Sequence, residues 1–186
     1  MPFLEFSQYF CSMSQITFKK ATISDLIQLQ EISISTFTET YASLNTEENM
    51  ELYITESLSR SKLFSELENV HSEFYLAYLD FVIIGYLKIN FPLAHSEKMG
   101  NDSLEIERIY IQKSFQGKGY GSTLIQKAIE IAKSKNFNKI WLGVWSKNKK
   151  AIGFYENMGF TEFNQHVFKL GEDEQLDLLL ELNIQQ

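Results

Sequence analysis

The run Gln116, Gly117, Lys118, Gly119, Tyr120, Gly121, Ser122 sets three glycines between an apolar, strand-like stretch and an amphipathic, helix-like one. Glycine lets the backbone turn tightly and approach a ligand with no Cβ in the way. The unpaired N–H groups at the start of the following helix, with the positive end of its dipole, then attract a pyrophosphate. A nucleotide-bearing cofactor is the chemistry this spacing suits. Two better-known phosphate loops do not fit. A Walker A loop has a Lys-Ser or Lys-Thr pair after its last glycine, whereas Gly121 is followed by Ser122 and Thr123. A dinucleotide fingerprint reads G-x-G-x-x-G with an acidic residue about 20 positions later. This loop reads G-x-G-x-G, and Asn138, Lys139 and Ile140 occupy the later region. A cluster of turn glycines with no ligand leaves the same short signature, so both readings stay open on the loop alone.

The flanking elements follow from periodicity. Ile16 to Lys20 reads as a strand. Ser24-Asp25 opens a helix carrying Leu26, Leu29, Ile32 and Phe37 at helical spacing. Thr46, followed by Glu47 and Glu48, caps a second helix to about Leu58, and a third piece spans Lys62 to Leu67. Phe74 to Leu79 and Val82 to Asn90 form a hairpin turning at Asp80-Phe81, and Pro92 to Ser103 is loop. In the strand Leu104 to Ile111 the apolar alternation changes phase: Leu104 and Ile106 share one parity, Ile109 and Ile111 the other. Either a β-bulge near Glu107-Arg108 frees backbone groups there, or both faces of a central strand are buried. After the glycine loop, Leu124, Ala128, Ile131 and Ala132 mark a helix ending near Asn136. Lys139 to Trp145 is a strand in which Gly143 removes a side chain and admits a close neighbour. Asn148 opens a helix through Phe154, Tyr155 and Met158 that closes at Gly159 with Phe160 beyond, as in a Schellman end. Phe163 to Leu170 and Leu176 to Leu182 are the last strands, joined by the acidic turn Gly171-Glu172-Asp173-Glu174.

With 186 residues, 44% of them hydrophobic and 14% aromatic, the chain buries one sizeable core and is short for two domains. Residues 1–13 read as an N-terminal tail and 14–186 as the domain. A net charge of -7 disfavours a general phosphate-backbone binder, so no nucleic-acid partner is expected. The single cysteine, Cys11, makes neither an intramolecular disulfide nor a zinc site. His71, His95 and His166 lack ligand spacing, so no metal is expected. No apolar run approaches the roughly 18 to 20 residues of a membrane span, and the start carries no basic residue to suggest a signal peptide. A cytoplasmic setting is the expectation. A symmetric homodimer is compatible with the chain but not specified by it.

The order strand, Gln116-Gly117-x-Gly119-x-Gly121 loop, helix, strand, then Asn148-x-x-Ala151-x-x-Phe154-Tyr155-x-x-x-Gly159-Phe160 resembles the GNAT superfamily of acyl-CoA N-acyltransferases. The two motifs together are far more specific than either alone, and the resemblance extends from about Ile16 to Ile184. It is nearest to PaiA-type polyamine N-acetyltransferases, across Leu104 to Ile111 and Ile140 to Trp145. Gln116 departs from the arginine many members carry there. The resemblance implies a single α/β domain with a mixed central sheet of about six to seven strands flanked by helices. It implies acetyl-CoA as co-substrate and no metal. Ile109, Tyr110 and Ile111 would offer backbone groups to the pantetheine arm. Gln116, Gly117, Lys118, Gly119, Tyr120, Gly121 and Ser122 would hold the pyrophosphate. Asn148 would contact the cofactor, a role compatible with its reading as a helix N-cap.

The implied activity is direct acetyl transfer to a primary amine, with a polyamine such as spermidine or spermine favoured. An alkylammonium with a pKa near 10.4 is only on the order of one part in a thousand neutral at pH 7, so a base or water-linked carboxylate must take a proton. Glu107 and Glu105, on the strand beside the loop, are the candidates, although strand carboxylates are commonly exposed or paired and Arg108 is adjacent. Tyr155 matches the family's acid position, since a phenol of pKa about 10 stays protonated at neutral pH. By pattern alone, the Phe154-Tyr155 pair reads as core. No Ser-His pair points to a covalent intermediate. Glu39, Glu47, Glu48, Glu51, Glu73 and the acidic turn are available for a cationic substrate, with Phe37 and Tyr41 for its methylenes. The alternatives are a protein amino group or another small amine as acceptor, or a non-catalytic acetyl-CoA sensor.

Overall fold

Alternating and helical apolar patterns resolve into β1 (Ile16–Lys20), α1 (Leu26–Tyr41), α2 (Glu47–Ser57), α3 (Arg60–Glu68), β2 (Ser72–Leu79) and β3 (Val82–Asn90). They continue as β4 (Ser103–Ile111), α4 (Tyr120–Ser134), β5 (Lys139–Trp145), α5 (Lys149–Asn157), β6 (Thr161–Leu170) and β7 (Asp173–Asn183). This is a computed structural model, and it describes residues 16–170 and 173–184. The expected tail 1–13, Cys11, and Gly171 and Glu172 of the last turn lie outside the described residues.

The helix ends follow local chemistry. The Thr46 hydroxyl accepts from the Asn49 N–H at 3.2 Å, and Glu47 and Glu48 fill the first turn of α2. Asn148 caps α5 by accepting from the Ala151 N–H at 3.1 Å. At the other end the Phe160 N–H donates to the Tyr155 carbonyl and the Gly159 N–H to the Glu156 carbonyl, both at 3.0 Å, with Gly159 at φ 91°. That pair of bonds is the Schellman end the glycine spacing predicts.

The sheet runs in the order β1-β2-β3-β4-β5-β7-β6. Every neighbour is antiparallel except β4 and β5, which the α4 crossover makes parallel. The expectation of six to seven strands resolves as seven among the described residues. One face packs on α4 and α5 through Leu87, Leu104, Leu124, Ala128, Ile140 and Leu142. The other packs on α1 and α3 through Leu29, Ile32, Leu63, Phe74, Leu76 and Tyr86. Each such buried leucine, isoleucine or phenylalanine contributes about 1.5–3 kcal/mol.

Strand β4 departs from regular pairing on both of its edges. Lys88 pairs with Arg108 and Ile89 with Ile106, so Glu107 is an extra residue facing no partner on β3. The phase change is therefore a bulge. By resetting the alternation it lets Leu104, Ile106, Ile109 and Ile111 all pack toward the α4 and α5 face. On the other edge, β4 pairs with β5 only from Ser103–Lys139 to Glu105–Trp141. Beyond that point the parallel strands separate.

Candidate active site

Where β4 and β5 part, a cavity of about 480 Å³ opens. Its β4 wall includes Glu107, Arg108, Ile109, Tyr110 and Ile111, and its β5 wall Leu142, Gly143 and Val144. The bulge and the lost pairing act together: the ladder is interrupted, so main-chain groups on both strand edges face open space.

At one end lies the glycine loop. Gln116, Gly117, Gly119, Gly121 and Ser122 line the cavity. Gly117 has φ 77° and Gly119 φ 84°, and a Cβ on either would meet nothing within 4 Å. Backbone conformation, not crowding, makes these residues glycines. Gly119 is the N-cap of α4 and supplies no side-chain cap. The Thr123 N–H bonds back to the Gly119 carbonyl at 3.3 Å, and the amides before it have no intrahelical acceptor. Gln116 ties the loop to both walls: its amide donates to the Ile111 carbonyl at 2.9 Å and accepts from Lys150 Nζ at 2.7 Å. Lys118 and Tyr120 do not line the cavity. Lys118 Nζ donates to the Ser114 carbonyl at 3.2 Å, and Tyr120 packs against the core.

Glu107 sits in a buried ring of four charges. Its Oε2 lies 2.5 Å from Lys88 Nζ and its Oε1 3.2 Å from Arg108. Arg108 also grips Glu66 through two bonds of 2.9 and 3.1 Å, and Lys88 reaches Glu66 at 2.9 Å. Asn90 Nδ2 donates to Glu107 Oε2 at 2.6 Å. Two cations and two anions thus neutralise each other around the bulge. Burial pushes the Glu107 carboxyl up, but Arg108 and Lys88 outweigh it and hold it below the usual carboxylate range.

Glu105 is not brought into the cavity. Its carboxylate accepts from the Ser96 hydroxyl, from the Ser96 N–H at 2.9 Å and from Asn90 Nδ2 at 2.9 Å. Burial raises its carboxyl above the usual range against those bonds. Tyr155 and Asn148, both from α5 and its cap, do line the cavity. Tyr155 packs against Phe154 and Phe160 with ring centroids at 5.3 and 5.8 Å. Burial, with a contribution from Tyr41, pushes its phenol well above the ordinary value.

Sequence reasoning missed Arg108, Lys150 and Thr40 as cavity residues. A lysine two residues after a helix-capping Asn was a signal for Lys150. Nothing local signalled Arg108, because its partner Glu66 is 42 residues away. None of Glu39, Glu47, Glu48, Glu51, Glu73 or Glu174 lines the cavity. Glu39 instead accepts from the Lys113 N–H at 2.8 Å, and Glu73 pairs with Lys20 at 2.7 Å. Among the described residues no cluster suits a metal ion, and no helix is long and apolar enough to cross a membrane.

Residues 28–160 match the acetyltransferase (GNAT) family. The chain is 37% identical over 168 residues to an uncharacterized N-acetyltransferase of Lactobacillus delbrueckii subsp. lactis, covering 90% of this chain and 97% of that one. It is 30% identical over 149 residues to the spermidine N(1)-acetyltransferase of Thermoplasma acidophilum, covering 78% and 88%. Among solved structures, the PaiA N-acetyltransferase of Thermoplasma acidophilum in complex with coenzyme A superposes with a TM-score of 0.75 at 26% identity, over 91% of this chain and 99% of that one.

Proposed function

The chain belongs to the GNAT acetyltransferase family, and from that premise we propose that it transfers an acetyl group from acetyl-CoA directly to a primary amine, with a polyamine as the favoured acceptor. The observation that carries this reading is the cavity between the parted strands, with a glycine loop of free amides at one end and the Glu107 bulge beside it. The relative in complex with coenzyme A supports the cofactor, and the spermidine N(1)-acetyltransferase supports the acceptor class.

The residues present fit acetyl-CoA. Backbone amides from Gly117 to Ser122, Lys118 and Tyr120 included, would take the pyrophosphate at the start of α4, with Gln116, whose own N–H bonds the Lys113 carbonyl at 3.3 Å, anchoring the loop. Lys150 adds a cation there. The edge at Ile109, Tyr110 and Ile111, which β5 leaves open and Gln116 reaches only at the Ile111 carbonyl, would take the pantetheine amides, and Asn148 would add a polar contact. Acetyl-CoA supplies the acetyl group already activated as a thioester. Gly119→Val weakens coenzyme A binding by about tenfold or more in calorimetry, because the new residue both resists φ 84° and fills cavity space. The strain itself costs about 1–2 kcal/mol, so the variant stays folded.

Tyr155 Oη holds its proton through the neutral range and delivers it to the departing sulfur. Glu107, fixed as a carboxylate by Arg108 and Lys88, attracts the acceptor's ammonium. Its low basicity makes it a poor proton acceptor, so it orients the amine while water carries the proton away. Glu105 acts only at second hand, through the shared Asn90.

The test is an acceptor screen scored by release of coenzyme A thiol. Spermidine and spermine turn over, and kcat/KM rises about tenfold per pH unit between about 6 and 9 as the neutral amine becomes available. No acid limb from Glu107 intrudes in that window, because its carboxyl is lowered, and no alkaline limb from Tyr155, because its phenol is raised. Turnover of an amino-terminal peptide with none for either polyamine would remove the polyamine reading.

A further inference from the structure

Asp177 is a carboxylate with no part in the chemistry of Glu107 and Tyr155. It stands on β7, paired in register with Trp145 of β5 and His166 of β6. Gly143 lines the cavity, and a Cβ there would lie 3.7 Å from Asp177 Oδ2 and 3.9 Å from His166 Cε1. The missing side chain therefore opens the β5 wall onto Asp177. On the cavity side stands Tyr41, whose phenol is pushed up by burial and, in part, by the charge of Asp177.

Most other buried or half-buried carboxylates already have cations, and Glu105, which has none among the described residues, is held by Ser96 and Asn90. Glu66 and Glu107 share Lys88 and Arg108, Glu73 takes Lys20, Glu181 takes Lys139 and Asp25 takes Lys19. Among the described residues no lysine or arginine pairs with Asp177. The titratable groups facing it are His166 and, behind that ring, Glu97, whose Oε1 lies 3.4 Å from His166 Nδ1. Burial raises the Asp177 carboxyl, with His166 only partly opposing. A partly buried carboxylate short of a cation is costly unless something supplies one. The adjoining wall is aromatic: Tyr41 and Trp145 have ring centroids 6.2 Å apart, and Lys147 Nζ already lies 5.5 Å from the Trp145 centroid. That face accepts a cation, and its rings suit methylene groups.

We propose that Asp177, with Glu97 beyond His166, forms the subsite for the second ammonium of a diamine or polyamine whose reacting nitrogen lies by Glu107. This rests on the amine-acceptor reading and names what selects the acceptor within that class. A diamine with its reacting nitrogen by Glu107 would place its second charge at Asp177, and a monoamine has no second charge to place there.

The experiment compares putrescine with butylamine, which share a carbon chain and differ by one amino group, using wild type and Asp177→Asn. Wild type favours putrescine, and in Asp177→Asn the ratio of kcat/KM for putrescine over butylamine falls by about tenfold, the equivalent of about 1.4 kcal/mol. Melting curves and coenzyme A calorimetry on the variant report that the fold and the cofactor site are kept. An unchanged ratio, or equal loss for both amines, overturns the subsite while thiol release with butylamine leaves amine transfer standing. Absence of release with either amine overturns the subsite, and inertness toward spermidine and spermine as well removes the reading beneath it.

Discussion

Tyr155→Phe lowers kcat by about a hundredfold, with coenzyme A affinity and melting temperature close to wild type. General acid catalysis contributes about 10²- to 10⁴-fold. The low end applies here because a thiol of pKa about 8.5 is a moderate leaving group even without a proton. Burial makes the phenol a weak acid, available as a proton donor but with little driving force to give the proton up, which also places the effect at the low end. Burial keeps it protonated far above neutral pH, and the ring is wedged between Phe154 and Phe160, so removing the oxygen leaves the packing in place. Single-turnover measurements of thiol release separate this from a binding defect. A fall in kcat smaller than about fivefold would mean that sulfur departs without help from Tyr155.

Arg108→Met destabilises the fold by about 3–5 kcal/mol, because it leaves Glu66 and Glu107 sharing Lys88, with only the half-exposed Lys62 added at 3.7 Å from Glu66. For a chain of this size that is a fall in melting temperature of about 6–20 °C. Replacing Glu66 as well, in Glu66→Leu/Arg108→Met, restores neutrality as a Lys88–Glu107 pair and recovers most of the loss. The double-mutant cycle measures that coupling. If the two losses simply add, the four charges do not work as a unit.

The same ring carries a pH dependence. Glu107 titrates below its ordinary value of 4.5 in the folded chain, so its contribution is present above that pH and is lost as pH falls through the folded value. Glu105, raised by burial, works with the opposite sign. Its charging costs stability as pH rises through its folded value. Two carboxylates joined through Asn90 therefore pull in opposite directions, and acid melting of Glu107→Gln against wild type isolates the Glu107 share.

Whatever depends on neighbours in the chain was readable from the residues alone. The glycine spacing from Gly117 to Gly121, the Asn148 cap, the Gly159 end and the hairpin at Asp80 are local bonds and dihedrals, written within a few positions of one another. The change of parity between Ile106 and Ile109 narrowed β4 to two arrangements, and pairing with β3 chose the bulge. Other features required the folded sheet. The insertion of β7 between β5 and β6, the parting of β4 from β5, the reach of Glu66 to Arg108 and the placing of Asp177 behind Gly143 all join residues far apart in sequence. Charge and burial act through space, so whether Glu107 is a free base or a clamped anion depends on groups its own strand does not carry.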